Sequence, residues 1–207
     1  MIQRAEIAAV ILAGGKGSRM NYQDKALLTL HKKPLIEHVI ANVRNQVGSL
    51  SISVNHNPHL YEYLQLPLVP DYGNQYAGPL VGIYSAMRRI CETRQQSGIK
   101  YLACFAADVP YFPSKLVASL YENLMDTNSQ FACCVCDNQL QPLFSLWKLE
   151  TISCIESAIS KGVFGPKLLL PELSHVLVEI PFDDPGYFLN INSAESLAMA
   201  ERMIPAN

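Results

Sequence analysis

The architecture of this chain follows from Ala8-Ala9-Val10-Ile11-Leu12-Ala13-Gly14-Gly15-Lys16-Gly17-Ser18-Arg19-Met20, near its start. An apolar run rich in β-branched residues ends abruptly at glycines, and a short polar segment that carries cations continues from there to Lys25. This pattern predicts a buried strand that ends in an anion-binding loop. Later segments are therefore assessed by whether they could surround that loop.

The chemistry of the loop favours phosphate over other ligands. Glycine amides have no Cβ atom to obstruct them and can surround phosphate oxygens. The cations Lys16, Arg19 and Lys25 would repel one another unless an anion or an acid lay between them. The segment lacks both the Gly-Lys-Ser/Thr that ends a P-loop and the third glycine of the dinucleotide fingerprint. A solvated surface pair of Asp24 with Lys25 is the plainer alternative.

The composition is that of a globular protein without a basic excess. Of 207 residues, 49% are hydrophobic and 16% are charged, and the formal net charge is -2. This length predicts a single domain over residues 1–207. The charge balance disfavours nucleic acid as a partner, and no apolar run near the N-terminus reaches the roughly 20 residues that span a bilayer. We expect a cytoplasmic, soluble monomer that has no membrane partner.

The cysteines favour a structural role. Six of them lie at positions 91, 104, 133, 134, 136 and 154, without C-x-x-C spacing or nearby histidines arranged as zinc ligands. Three occur within Phe131-Ala132-Cys133-Cys134-Val135-Cys136, which is typical of a strand packed on both faces. We expect reduced, buried thiols, because free cysteine is among the most buried residue types.

Strands and helices alternate along the rest of the chain. After the first strand, further strands are predicted at Leu50–Val54, Leu66–Val69, Tyr101–Phe105, 131–136, 141–147 and Val176–Ile180. Helices are predicted from Pro34 to Gly48, after Gly78-Pro79, from Ser114 as N-cap to Met125, over Glu150–Ser160, briefly from Gly165, and after the N-cap Ser193. Pro142 favours a sheet edge or a strand start. This alternation predicts an α/β fold of three α/β/α layers, Rossmann-like, with a mostly parallel sheet that binds ligands at the carboxyl ends of its strands.

Asp108 is the second candidate site residue. It directly follows a buried strand and precedes Val109-Pro110. Carboxylate oxygens bind Mg²⁺, which also holds substrate phosphates, whereas capping of the turn before Pro110 is the structural alternative. Arg88 and Arg89 are assigned to a solvated helix face, with an acidic phosphate of a second substrate as the alternative. The segment Asn190-Ile191-Asn192 is a candidate contact for a second substrate.

Further motifs make these two sites specific. In chain order they are Leu12–Met20, Asp24–Leu28, Lys33–Ile36, Val54–Asn57, Pro70-Asp71, Gly78–Gly82, Ala107–Pro110, Gln141–Phe144 and Asn190–Ser193. Together they resemble the signature of the molybdenum cofactor guanylyltransferases, the MobA family of nucleotidyltransferases, over nearly the whole chain. The glycine that usually follows Arg-Met in that family is replaced here by Asn21.

The resemblance implies a nucleotidyltransferase fold and a GTP site. The implied nucleotide-binding residues are Leu12, Ala13, Gly14, Gly15, Lys25, Asn55, Asp71 and Asp108, and Asp108 also binds Mg²⁺. In the resulting hypothesis a terminal phosphate oxygen of molybdopterin, with or without molybdenum, attacks the α-phosphorus of GTP and pyrophosphate leaves. Lys25, Arg19 and the loop amides stabilise the charge of the transition state.

Three alternatives stay open at this point. A molybdopterin cytidylyltransferase or a sugar-phosphate nucleotidyltransferase shares the first motif, because base choice depends on a few hydrogen bonds that the sequence does not display. A nucleotide-binding module without activity is the alternative outside the enzymes. Molybdoenzymes or their chaperones are the expected recipients of the product.

Overall fold

The computed structural model describes residues 3–14, 24–73, 77–93 and 98–205. The strands are β1 (Ile7–Leu12), β2 (Thr29–Leu30), β3 (Lys33–Pro34), β4 (Ser49–Ser53), β5 (Leu68–Val69), β6 (Tyr101–Ala106), β7 (Phe131–Cys136), β8 (Gln139–Lys148) and β9 (His175–Glu179). The α-helices are α1 (Leu35–Val43), α2 (Pro79–Glu92), α3 (Leu116–Asp126), α4 (Ile152–Ser160) and α5 (Ala194–Met203). Short 3-10 helices cover Arg4–Glu6, Lys25–Leu27, Pro58–Leu64, Leu149–Thr151 and Pro166–Glu172.

The main sheet has seven strands in the order β5-β4-β1-β6-β8-β7-β9. Every described neighbouring pair is parallel except the two that involve β8, which runs antiparallel to β6 and β7. Strands β2 and β3 form a separate antiparallel hairpin. The prediction of a mostly parallel sheet is therefore confirmed.

Helices cover both faces of this sheet. On one face α1 and α3 bury their apolar stripes against Ile7, Ala9 and Ile11 of β1. On the other face α2 and α4 pack against Ala8 and Val10 of the same strand. Successive side chains of a strand point to opposite faces, so a strand covered on both sides is apolar throughout. The three-layer α/β/α architecture predicted from the sequence is confirmed.

The cysteines of the predicted strand at 131–136 are buried, as expected. All six are free thiols, and Cys104, Cys133, Cys134 and Cys136 are buried within the sheet. Among the described residues, no group of three His, Cys, Asp or Glu side chains is arranged to hold a metal ion. None of the described helices combines the length and the hydropathy needed to cross a membrane.

Neither alternative predicted for Pro142 is correct. It is not at a sheet edge, because β8 lies inside the sheet between β6 and β7, and it is not at a strand start, because β8 begins at Gln139. Pro142 is accommodated at an irregularity of the β7–β8 ladder, where Cys133 pairs with Ser145 but the next residue, Cys134, pairs with Gln141. The pairing with β6 starts only at Ser145. The proline therefore sits where the ladder needs no donor.

Two predicted helix boundaries are also wrong. Helix α3 starts at Leu116 after Lys115, and in this described segment no side chain caps it, so Ser114 is not its N-cap. Helix α1 ends at Val43 rather than at Gly48. Gly48 instead allows the backbone to pass close to Arg4, because a Cβ atom at position 48 would lie 2.6 Å from the carbonyl oxygen of Arg4. At α5, the capping box at Ser193 is completed by Ser196 instead of an acid.

Candidate active site

The candidate site lies at the carboxyl ends of the parallel strands. Backbone hydrogen bonds continue the pairing just past the strand ends: the N–H of Ala13 donates to Ser53 O at 2.9 Å, and the N–H of Ala107 donates to Leu12 O at 3.1 Å. These bonds bring the residues after β1, β4 and β6 side by side, as expected for ligand binding in a parallel sheet.

A cavity of about 200 Å³ opens at this edge. It is lined by Leu12, Ala13, Gly14, Asp24, Lys25, Ala26, Ser53, Asn55, Asp71, Gly78, Pro79, Gly82, Ala106, Ala107, Asp108 and Leu143. Seven of the residues predicted to bind nucleotide are in this set: Leu12, Ala13, Gly14, Lys25, Asn55, Asp71 and Asp108. Gly15 and Arg19 lie outside the described residues. The structure thus brings the predicted residues together, and their roles stay predictions.

Lys25 and Asp108 both line the cavity and are tied to the same segment of the chain, Ile191-Asn192. Lys25 starts a 3-10 turn anchored by the buried Ala26, and its Nζ donates a hydrogen bond to Asn192 Oδ1. The N–H of Ile191 donates to the carbonyl oxygen of Asp108 at 2.9 Å, which ties the segment before α5 to the end of β6. Burial raises the pKa of Asp108, and the positive charge of Lys25 opposes this rise.

Asp24 does not form a surface pair with Lys25, so that alternative is wrong. The ion pairs found among the described residues are Arg88 with Glu92 and Lys100 with Glu6. The Asp24 carboxyl instead lies half-buried beside Tyr61, and burial raises its pKa against the opposing effect of the Tyr61 hydroxyl. Tyr61 is fully buried, and within the described part of the chain its hydroxyl has no partner at hydrogen-bond geometry.

Asp71 and Asn55 line the cavity after β5 and β4, which lie on the other side of β1 from β6. The backbone N–H of Asp71 donates to Asn55 Oδ1 at 2.7 Å, and the Ser53 hydroxyl donates to Asp71 Oδ1 at 3.5 Å. Burial raises the pKa of Asp71, while the hydrogen bonds from Asn55 and Ser53 lower it. The result is a buried carboxylate with acceptor capacity left for a ligand that donates hydrogen bonds.

The start of α2 closes the cavity. Gly78 has φ +154°, and a Cβ atom there would lie 2.7 Å from Phe164 O. A Cβ atom at Gly82 would lie 2.7 Å from Ser53 Oγ, so this glycine lets the helix approach β4 closely. The N-terminus of a helix attracts anions through its free N–H groups. The sequence placed Gly78–Gly82 among the motifs but did not assign these residues to the site.

Other lining residues were not assigned to the site from the sequence. Ser53, Ala106 and Leu143 line the cavity only because of how the strands are ordered in the sheet. Asn192 was expected only near a second substrate, and its contact with Lys25 spans 167 positions of the chain. Arg88 pairs with Glu92 and is half-exposed, in agreement with a solvated helix face.

The donor set suits a divalent metal that arrives with its substrate. Asp108 offers one carboxylate beside the cation Lys25, and the described residues provide no complete metal cage. Mg²⁺ is commonly held by one or two carboxylates together with substrate phosphates and water. The site therefore fits a metal bound jointly by the protein and a nucleotide.

Comparisons with known proteins agree with this geometry. A family model described as the MobA-like NTP transferase domain matches residues 9–175. The molybdenum cofactor guanylyltransferase of Cupriavidus metallidurans is 34% identical over 206 residues, which cover 97% of each chain. The protein of the same name from Ralstonia pickettii is 33% identical over 212 residues, covering 98% of this chain and 100% of the relative.

A solved structure shows the same fold. Molybdopterin-guanine dinucleotide biosynthesis protein A from Archaeoglobus fulgidus matches with a TM-score of 0.74 at 22% identity, covering 95% of this chain and 97% of its own. The matched family model spans most of the chain, and the relatives match it almost from end to end. The chain therefore belongs to the family of MobA-like NTP transferases.

Proposed function

We propose that this chain transfers GMP from GTP to the terminal phosphate of molybdopterin, which yields molybdopterin guanine dinucleotide and pyrophosphate. The names of the relatives support this reaction. The observation that carries the proposal is one cavity lined by Lys25 and Asp108, which are both tied to the segment Ile191-Asn192, and by Asp71 and Asn55. Lys25 gives the site a positive charge that suits phosphates. Asp71 and Asn55 give it hydrogen-bonding groups that suit a nucleoside.

The reaction needs no protein nucleophile. An oxygen of the molybdopterin phosphate forms the new bond to the α-phosphorus of GTP, and the bond from that phosphorus to the β-phosphate oxygen breaks, so pyrophosphate leaves with its electron pair. Catalysis of phosphoryl transfer rests on positioning and on neutralising charge. Lys25 is assigned to donate hydrogen bonds to the phosphate oxygens, as is the amide of Gly14. Gly15 and Arg19 keep the phosphate-binding roles predicted from the sequence.

The divalent metal is proposed to be Mg²⁺, held by Asp108 and by the triphosphate. When bound, it neutralises phosphate charge and favours the departure of pyrophosphate. Burial raises the pKa of Asp108 and so disfavours its ionised form, and a bound cation would stabilise that form. Asp71 and Asn55 are assigned to the nucleoside, because the buried Asp71 carboxylate accepts hydrogen bonds and guanine offers N–H donors.

The test uses the purified protein with GTP, MgCl₂ and molybdopterin, and measures pyrophosphate release and the dinucleotide formed. Removal of one preorganised charged group from such a site costs about 100- to 1,000-fold in rate. Asp108→Asn and Lys25→Ala are expected to show this loss. Asp126→Asn and Lys115→Ala, which change exposed residues at the two ends of α3, are the matched controls.

The same assay separates the alternatives. A higher turnover with CTP than with GTP would make the chain a cytidylyltransferase, and activity with a sugar phosphate but not with molybdopterin would change the acceptor. Nucleotide binding without pyrophosphate release would leave only a binding module. Near-normal rates in Asp108→Asn or Lys25→Ala would refute the roles assigned to these residues.

A further inference from the structure

Asp71 is buried in the cavity wall, and hydrogen bonds fix the chain on its amino-terminal side. Only 7% of the residue is exposed, and its N–H donates to Asn55 Oδ1 at 2.7 Å. The preceding strand β5 is short, and Val54 N–H donates to Val69 O at 3.2 Å. A short strand and two hydrogen bonds define where the chain enters the cavity wall, but they do not define how it leaves.

Tyr72, the next residue, is held by α2 on the outer side. Its backbone N–H donates to the Ser85 hydroxyl at 2.8 Å, and this hydroxyl donates in turn to Val81 O at 2.8 Å. The Arg88 guanidinium lies 4.0 Å from the centre of the Tyr72 ring. The ring of Tyr84 meets Tyr72 edge-on, with centroids 5.7 Å apart. Two consecutive turns of α2 therefore hold Tyr72, through Tyr84 and Ser85 on one turn and Arg88 on the next.

The residues of α2 that hold Tyr72 are themselves fixed by further contacts. Arg88 Nε lies 2.7 Å from Glu92 Oε1, and the Tyr84 hydroxyl donates to Glu156 Oε1 of α4 at 2.6 Å. Helix α2 also forms the cavity wall at Pro79 and Gly82. The helix that shapes the site is thus the helix that holds Tyr72.

Without the contacts between α2 and Tyr72, the backbone after Asp71 would be poorly constrained. Tyr72 is 56% exposed, and it lines an open cleft of about 540 Å³ that shares only Asp71 with the first cavity. Gly73 follows with φ +84°, and no described atom lies within 4 Å of a Cβ atom built there. An exposed aromatic ring followed by an unhindered glycine has few other restraints on its backbone.

We propose that Tyr72, Ser85 and Arg88 are positioning residues that hold the Asp71 carboxylate at the cavity and thereby set the affinity for the nucleoside of GTP. This inference rests on the function proposed above. The three residues touch neither Lys25 nor Asp108 in the described contacts, so the chemical step is left intact. Their loss should therefore raise KM for GTP and leave kcat nearly unchanged, which is the pattern of lost uniform binding.

The experiment compares Tyr72→Leu, Ser85→Ala and Tyr72→Phe with the unchanged chain. An exposed cation–π or aromatic edge contact contributes modestly, so Tyr72→Leu is expected to raise KM for GTP about three- to tenfold. Tyr72→Phe keeps the ring and is expected to stay within about twofold. Tyr63→Leu is the matched control, because Tyr63 is 55% exposed and bonds to Glu37 in a cleft that shares no residue with the cavity.

A double-mutant cycle tests whether the effect passes through Asp71. In an Asp71→Asn background, Tyr72→Leu is expected to add less than about a twofold change, because the group that it positions is already altered. Additive effects, a fall in kcat instead of a rise in KM, or an equal rise in Tyr63→Leu would overturn the inference. If Tyr72→Leu fails to fold, Ser85→Ala takes its place in the same cycle, because it removes the hydroxyl that accepts from the Tyr72 N–H.

Failure of the proposed function is recognised separately. Binding of GTP, CTP, ATP and UTP to the unchanged protein is measured first, and the variants are then assayed with the nucleotide that binds most tightly. If the unchanged chain does not transfer GMP, the proposed function fails, whereas equal nucleotide affinity in Tyr72→Leu and the unchanged chain defeats the positioning role alone.

Discussion

At the scale of single residues, the Lys25–Asn192 contact joins sequence positions that no local pattern connects. The cations of the first loop and the acid after β6 could be found from the sequence, because each stands at the end of an apolar run. The partner of Lys25 depends on where the segment before α5 crosses the sheet edge. The Ile191 N–H bond to Asp108 O fixes that crossing, and Asn192 N–H donates to Ser196 Oγ at 2.9 Å.

Asn192→Ala is therefore predicted to lower GMP transfer by about tenfold or more, since a hydrogen bond to a charged group contributes about 1.5–3 kcal/mol. The ammonium of Lys25 would keep its charge but lose the acceptor that orients it. Steady-state pyrophosphate release measures the effect. Asn123→Ala serves as the control, because it removes a hydrogen bond from the side-chain amide of Asn123 to Ser119 O within α3. Equal turnover in both variants would contradict the orienting role.

A second residue-scale prediction concerns Asp108 and pH. Burial raises the pKa of Asp108 above its usual value of 3.8, so the folded state binds this proton more tightly than the unfolded state does. The free energy of unfolding therefore falls as the pH rises from that value through the raised pKa, and the cost of the ionised carboxylate is fully present above it. Asp108→Asn removes this cost.

Asp108→Asn is accordingly predicted to raise Tm at neutral pH while it lowers the rate of GMP transfer about 100- to 1,000-fold. Each kcal/mol gained corresponds to about 2–4 °C in a chain of this size. The difference in Tm from the unchanged chain should shrink as the pH is lowered towards the ordinary range of aspartate, and differential scanning calorimetry at several pH values measures it. A Tm difference that grows on acidification would show the opposite sign of linkage.

At the scale of elements, the sequence predicts whether a segment is a helix or a strand better than it predicts where that segment ends. The apolar periodicity of α2 and the β-branched run of β1 fix what these segments are, because each pattern follows from the face that must be buried. Gly48 and Pro142 were misjudged for one reason. Both have strong local preferences, yet the structure uses the first for a backbone contact with Arg4 and the second at a break in the β7–β8 pairing.

Gly78 gives the element-scale prediction. Its positive φ and the 2.7 Å approach of a Cβ atom to Phe164 O both oppose a side chain. Gly78→Ala is predicted to lower the free energy of unfolding by about 3 kcal/mol, from strain together with overpacking. Gly162 shares a positive φ, +82°, but no described atom lies within 4 Å of its Cβ position, so Gly162→Ala should cost only about 1 kcal/mol. Urea unfolding compares them, and equal losses would exclude the contact with Phe164.

At the scale of the whole molecule, the layered architecture could be predicted and the order of the strands could not. Alternating strands and helices imply a covered parallel sheet. The insertion of antiparallel β8 between β6 and β7 follows from long-range pairing, and it brings Leu143 to the cavity. The burial of Cys133, Cys134 and Cys136 could be predicted from the apolar run around them, because small apolar side chains suit a strand packed on both faces.

Thiol reactivity tests that architecture as a whole. The thiolate is the reactive form, and burial raises the pKa of Cys133 to about 12 and that of Cys134 well above its usual value. The thiols of Cys104 and Cys136 are shielded in the same way. Cys91 and Cys154 lie on α2 and α4 and are only half-buried.

Titration with a chromogenic disulfide reagent is therefore predicted to label at most two of the six thiols quickly in the native protein and all six in denaturant. A Cys91→Ser/Cys154→Ser variant should show no fast thiol when folded and four when unfolded. Bound GTP would leave the fast count unchanged, because neither half-buried cysteine lines the cavity. Fast labelling of a third thiol would mean that at least one face of the sheet lacks the helical cover on which the geometry of the site depends.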